Sequence, residues 1–134
     1  MITKAALLLF RNGPDDTELL FARAKDKTFY VFPGGKQEAG ETIDEALQRE
    51  LQEELGTQAD SIRKLGIVSG QTPDGRDMEM HLYTGELLGD PVPHSEIEEI
   101  AWMNKVEIAS RQASMTPMTM DHVLPFLSEQ KIWQ

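Results

Sequence analysis

The chain has 134 residues, 40% of them hydrophobic and 27% charged, a composition and length that suit one α/β domain with its own core. Its net charge of −10 argues against a binder of nucleic-acid duplexes, which needs a basic footprint, and it contains no apolar run of about 18 residues that could span a membrane. There is no cysteine, so disulfides, thiolate metal sites and cysteine nucleophiles are excluded, a usage that suits the cytoplasm.

From the N-terminus, residues 2–10 form an apolar run, broken only by Thr3 and Lys4, that predicts a first strand. The run lacks a basic n-region and a small-residue cleavage site, so it does not read as a secretory leader. Turn formers from Asn12 to Asp16 reverse the chain into a second strand over 18–24. Residues 29–32 read as a short aromatic strand stopped by Pro33, and Gly34-Gly35 opens a loop that reaches Gly40. Thr42, with Glu45 three residues later, makes a capping box, and Gly56 after Leu55 supplies a left-handed end, so a helix is expected over 43–55. Strands follow within 61–71, over 78–87 and over 96–104, separated by the turn Thr72-Pro73-Asp74-Gly75 and a proline-rich loop at 89–93. Residues 111–115 read as loop. Thr116-Pro117 then opens a last helix reaching about residue 132, which Pro125 should kink or split. The order β-β-β-α-β-β-β-α, without repeats or linkers, predicts one domain over 1–134 with helices packed on a sheet.

The helix over 43–55 carries the chemistry. At about 100° per residue, Ile43, Leu47, Leu51 and Leu55 form one apolar stripe, while Glu45, Gln48 and Gln52 face water. Glu54 lands inside the stripe between Ile43 and Leu47, Glu50 beside Ile43, and Glu53 close to Ala46. A solvated acidic face would put these carboxylates on the other side. Crowded and partly buried, they repel one another and need a compensating cation, either arginine or a metal ion. Arg49 can balance one charge at most. Oxygen donors without cysteine or histidine point to Mg²⁺ or Mn²⁺ and away from zinc.

These residues have a familiar spacing. Gly35, five residues, Glu41, seven residues, then Arg49-Glu50-Leu51-Gln52-Glu53-Glu54-Leu55-Gly56 resembles the Nudix box, departing from it only at the final aliphatic position, where Thr57 stands. The approach Phe32-Pro33-Gly34-Gly35 and the strand order also resemble MutT-type members. The resemblance implies a Nudix fold, a mixed β-sheet sandwiched between helices (α/β/α). It also implies divalent-metal-dependent hydrolysis of the diphosphate linkage in a nucleoside diphosphate derivative. Within that chemistry, a MutT-type nucleoside triphosphate pyrophosphohydrolase is the expected activity. The alternatives are hydrolysis of ADP-ribose, a nucleotide sugar or a dinucleoside polyphosphate, or a non-catalytic nucleotide-sensing module that would be expected to lose acids from the box. By motif position, Glu53 and Glu54 should bind metal with the Gly34 carbonyl, and Glu50 should be a metal ligand or, like Glu53, a catalytic group. Arg49 and Glu41 should pair to fix the loop on the helix. Gly35 and Gly40 should be permissive turn positions, and Gly56 the helix end. Lys36 should meet a phosphate or brace the loop, whereas Glu38 reads as exposed filler.

Outside the box, Glu96, six residues before Trp102, resembles an additional metal ligand or base, its plain alternative being an outward residue at a sheet edge. Arg23 could steer a polyphosphate, with a plain surface cation as the alternative. Trp102 reads as core, the histidines lack ligand spacing, and Met115, Met118 and Met120 read as packing or as a flexible pocket rim. The expected ligand is a nucleoside polyphosphate or nucleoside diphosphate derivative, with no membrane partner and a monomer or homodimer as the working unit.

Overall fold

A computed structural model of the chain describes residues 1–133. The first apolar run is two strands, β1 (Ile2–Leu7) and β2 (Phe10–Asn12), in different sheets. Leu8 and Leu9 are the joint: the Leu8 N–H donates to the Tyr83 carbonyl in one sheet at 2.7 Å, and the Leu9 carbonyl accepts from Leu20 in the other at 3.1 Å. The one strand expected over 2–10 is therefore corrected to two. Both sides of the run are buried, so hydrophobicity alone carries no mark of the change of sheet.

Strand β3 (Thr17–Ala24) pairs antiparallel with β2, and the far-downstream β7 (Ile97–Met103) pairs with its other edge, giving the order β2-β3-β7. The second sheet runs β4-β1-β6-β5, where β4 is Gly34–Lys36, β5 is Ala59–Gln71 and β6 is Asp77–Leu87. Its two inner strands are parallel and its outer strands antiparallel to them. On one side, Leu47, Leu51 and Leu55 of helix α1 (Ile43–Leu55) pack with Leu7, Leu20 and Tyr83. On the other, Met118, Val123 and Leu127 pack with Ile2, Phe21 and Leu82. Helices thus cover the sheets from both sides, the expected α/β/α sandwich.

Helix α1 has the expected bounds. The Thr42 hydroxyl accepts from the Glu45 N–H at 3.1 Å, the Glu45 carboxylate accepts from the Thr42 N–H at 2.8 Å, and Gly56 closes the helix at φ 70°. Residues 29–32 are corrected from strand to irregular chain: Tyr30 and Val31 make single bridges to Met115 and Ala22, and Phe32 stacks on Phe21. Their aromatic and β-branched character reflects burial and not pairing. Conversely, the start of the expected loop is strand β4.

Before the C-terminal segment come two unexpected elements, helix α2 (Lys105–Ser110) and a 3₁₀ turn (Gln112–Ser114), α2 being opened by an Asn104–Glu107 capping box with bonds of 2.9 and 3.0 Å. The last helix, expected from residue 116 and to be kinked or split by Pro125, is a π-helical turn (Met118–Val123) running into helix α3 (Leu124–Glu129). Pro125 has no N–H for the carbonyl four residues back, and its ring crowds that carbonyl, so the turn ahead of it widens. Among the described residues no helix is long and apolar enough to cross a membrane.

Candidate active site

Strand β4 lies against the C-terminal half of α1, and glycine makes the approach close. The Gly34 N–H donates to Glu54 Oε1 at 3.0 Å. Gly34 has φ 136°, and any side chain there would collide with the Ala5 carbonyl. Gly35 is extended strand and not the permissive turn expected for it. Its role is space: a Cβ there would lie 2.5 Å from the Glu50 carboxyl carbon. Gly40, at φ 82° with nothing nearby, is the true turn glycine of the loop.

Arg49 ties this loop to the helix. Its Nε and Nη2 meet the two oxygens of Glu41 at 2.7 and 2.9 Å, its Nη1 meets Glu50 at 2.9 Å, and its Nη2 also donates to the Lys36 carbonyl at 3.0 Å. Glu53 and Glu38 lie farther from the same guanidinium, at 3.5 and 3.6 Å. The two-pronged Glu41 contact is the geometry that only arginine offers. Arg49 holds the Glu41 carboxyl down to about 2, helped by the Glu38 N–H, and is itself raised above the usual arginine range, chiefly by Glu41.

With Arg49 committed to Glu41, Glu54 is left under-compensated. It is half-buried, and burial pushes its carboxyl up to about 8; the Gly34 N–H pulls the other way, and Glu50 and Glu53 add repulsion. Among the described residues no three carboxylates or histidines converge as a closed metal cage. The donor chemistry still fits a hard divalent cation. The donors are oxygen only, two crowded carboxylates face glycine backbone, and Arg49, shared among Glu41, Glu50 and Glu53, leaves them an excess of negative charge. Glu53 stands more open, with 53% of its side chain exposed. Glu96 does not join Glu50 and Glu54 as a further donor; its carbonyl accepts from the Lys25 N–H at 2.7 Å.

Beside the carboxylates opens a cleft of about 560 Å³, with Phe29, Phe32 and Met118 among its apolar residues and Lys4, Lys36 and Arg76 among its cations. Arg23, expected to reach a polyphosphate, is not in its wall. Its guanidinium is taken by Glu99 at 2.8 Å, the Lys27 carbonyl at 2.9 Å and Glu98 at 3.4 Å, and Tyr30 Oη donates to the same Glu99 oxygen at 2.8 Å. The hydrogen bonds from Arg23 and Tyr30 also lower the Glu99 pKa. Arg23 therefore clamps β3 to β7, and Lys27, four residues on, lines the cleft instead. Lys4 and Arg76 were not among the expected site residues. The signal for Lys4 was a lysine inside an otherwise apolar strand; Arg76, just past a turn, carried none.

The other expectations fall as follows. Met118 both packs in the core and rims the cleft. Trp102 packs against the α1 side of the core, with the Arg11 guanidinium 4.3 Å over its ring. His81 is buried between Lys64 Nζ and Glu79, each at 2.7 Å.

Comparison with known proteins converges on one family. A family model for the NUDIX domain matches residues 1–125. The NAD-capped RNA hydrolase NudC of Mycobacterium tuberculosis is 30% identical over 118 residues, covering 84% of this chain and 36% of that protein. The 8-oxo-dGTP diphosphatase of Proteus vulgaris is 48% identical over 46 residues, covering 34% of this chain and 41% of that protein. The chain spans 31% to 56% of the length of the curated relatives compared. Among solved structures, the solution structure of the E. coli ORF135 protein superposes with a TM-score of 0.71 at 26% identity, covering 97% of this chain and 91% of that one.

Proposed function

We propose that this chain, which belongs to the Nudix family, hydrolyses a phosphoric anhydride with the help of a divalent metal ion, and that its substrate is a nucleoside triphosphate cleaved in the MutT manner. The observation that carries the reading is the pairing of Glu50 and Glu54 against Gly34 and Gly35 at the edge of a cleft lined by both cationic and apolar side chains. A sensor has no need of crowded carboxylates beside its ligand, and all of Glu50, Glu53 and Glu54 are present.

Glu50, Glu53, Glu54 and the Gly34 carbonyl would hold Mg²⁺ or Mn²⁺, which when bound neutralises phosphate charge and makes water a better nucleophile. The chain's own residues supply the rest. Glu50 or Glu53 accepts the proton of the attacking water as the new phosphorus–oxygen bond forms and the anhydride bond breaks, the leaving phosphate taking the electron pair. Arg49 and Glu41 hold the carboxylates on the helix so that they do not swing into solvent. Phe29, Phe32 and Met118 offer the apolar wall that a base would stack on. The NudC relative, matched over most of this chain, supports a second reading in which the linkage joins two nucleosides.

A panel of canonical and oxidised dNTPs, ADP-ribose, nucleotide sugars and dinucleoside polyphosphates, assayed with Mg²⁺, tests the proposal. A nucleoside triphosphate should give a nucleoside monophosphate and pyrophosphate, and Glu53→Gln should remove most of that turnover while the fold persists. Wild-type turnover in Glu53→Gln would overturn the metal-site assignment. Tight binding without cleavage of any compound would move the chain to the sensor class.

A further inference from the structure

The cleft beside the carboxylates carries the opposite sign. The chain has 23 acidic residues against 13 basic ones, yet this cleft is lined by Lys4, Lys27, Lys36 and Arg76 and by one acid, Asp74. The local reversal of sign, inside a protein of net charge −10, focuses a positive potential on one concave surface. Two of these cations are adjacent by register. Lys4 of β1 stands directly opposite Lys36 of β4, and its partner on β6 is Met80. Like charges placed directly opposite repel, and neither cross-strand neighbour of Lys4 is acidic. Lys4 is also half-buried, so it has given up water without gaining a partner in the ladder. Burial lowers its pKa, Glu50 and Glu54 oppose that, and Arg76 and Lys36 push the same way as burial.

Arg76 arrives from the far side, on a well-tied turn between β5 and β6. The Thr72 N–H donates to the Arg76 carbonyl at 2.8 Å, the Gly75 N–H to the Thr72 carbonyl at 2.9 Å, and the Arg76 N–H to Thr72 Oγ1 at 3.0 Å. Asp74 holds the Arg76 guanidinium at 3.0 Å. The turn thus fixes where the Arg76 backbone stands, and its exposed side chain borders the same cleft as Lys4.

We propose that Lys4 and Arg76, together with Lys36, form a polyphosphate-binding wall beside the carboxylates, around the edge strand that carries Gly34 and Gly35, which makes the cleft selective for an unbranched chain of three or more phosphates with a free end. A diphosphate esterified at both ends, as in a nucleotide sugar, carries less charge and puts a neutral sugar where the wall expects phosphate. Lys4 and Arg76 lie outside the box, so they set which substrate stays and not how the bond breaks. The substrate named here rests on the hydrolase reading, whereas binding of an inorganic polyphosphate does not.

The test is calorimetric titration of the full chain with inorganic tripolyphosphate and with pyrophosphate at fixed free Mg²⁺, comparing wild type with Lys4→Met and Arg76→Met. Tripolyphosphate should bind more tightly than pyrophosphate. Each variant should lose about tenfold in tripolyphosphate affinity, as expected for one charge-assisted contact, with a shallower salt dependence. KM for a nucleoside triphosphate should rise about tenfold, while KM for a nucleotide sugar moves about twofold or less. Arg76 is exposed, so its variant tests the wall even if Lys4→Met lowers the melting temperature. Wild-type tripolyphosphate affinity in both variants, with nucleotide cleavage intact, overturns the wall and leaves the hydrolase. Lost tripolyphosphate affinity in the variants of a chain that cleaves nothing supports the wall and overturns the hydrolase. Equal losses for the nucleoside triphosphate and the nucleotide sugar overturn the claimed selectivity.

Discussion

Glu54 should make the metal-free protein less stable as pH rises across the neutral range. Its folded carboxyl is pushed up to about 8 by burial, with Glu50 and Glu53 repelling it and the Gly34 N–H opposing them, while its ordinary value is 4.5. Between those values the folded protein keeps a proton that the unfolded chain has released. The stabilisation is therefore complete below the unfolded value and drains away as pH climbs through the folded one. One such proton is worth about 1.4 kcal/mol per pH unit, so the group removes at most about 3 kcal/mol between about pH 5 and pH 7.5. With an unfolding entropy of about 2 cal/mol/K per residue, that corresponds to about 10 °C in Tm for a chain of 134 residues. Glu54→Gln keeps an acceptor for the Gly34 N–H and removes the titration. Thermal melting in EDTA from pH 5 to pH 8 reads the difference between wild type and variant, in which the remaining carboxylates and histidines cancel. Wild type should lose ground steadily as pH rises. Mg²⁺ at pH 7.5 should then restore wild type more than the variant, because a cation held only by the folded state stabilises it by mass action. A difference flat to within about 0.5 kcal/mol across the range would show that Glu54 is well solvated and that the carboxylates are not crowded as described.

Leu51 is fully buried under β1 and β3, so Leu51→Ala should cost about 2–5 kcal/mol in denaturant unfolding. Arg49→Lys keeps the charge but cannot grip both Glu41 oxygens, and Mg²⁺ affinity in a titration followed by activity should fall about 10–100-fold. An unchanged affinity would mean that the Arg49–Glu41 clasp does not hold the carboxylates in place. Gly35→Ala should lower kcat/KM by about 100-fold with an unchanged far-UV circular dichroism spectrum, since the added methyl lands 2.5 Å from the Glu50 carboxyl carbon and turns that group away. Full activity in that variant would mean that the Glu50 position is not used.

The parts of the molecule that were legible are those whose causes are local in the chain. Every cue for α1 lies within its own span or one residue beyond: the Thr42–Glu45 box, the four-residue stripe, and Gly56 in the left-handed region. The misplaced carboxylates were legible for the same reason, because helical angle follows from position alone. The division of residues 2–10 between two sheets was not, since a run buried on both sides looks the same whichever sheet it joins. Strand β4 was hidden behind its glycines, which signal turns in a bare sequence and here allow two elements to touch. Helix α2 had an Asn104–Glu107 cap in plain view, the same signature that marked α1, but lacked a long stripe to draw attention to it.

Arg23 and Lys4 show where reading by neighbourhood stops. Arg23 stands near the box in sequence and reads as a phosphate contact, yet its partner Glu99 lies 76 residues away and turns it into a clamp between strands. Lys4 stands far from the box and reads as a break in a core strand, yet pairing brings it opposite Lys36 at the edge of the same cleft. The carboxylates proposed for cleavage sit in one short segment and can be read from spacing. In the proposed cationic wall, strand register brings Lys4 beside Lys36 and a turn adds Arg76, so a one-residue slip of β1 against β4 would send Lys4 to the other face and dissolve the wall.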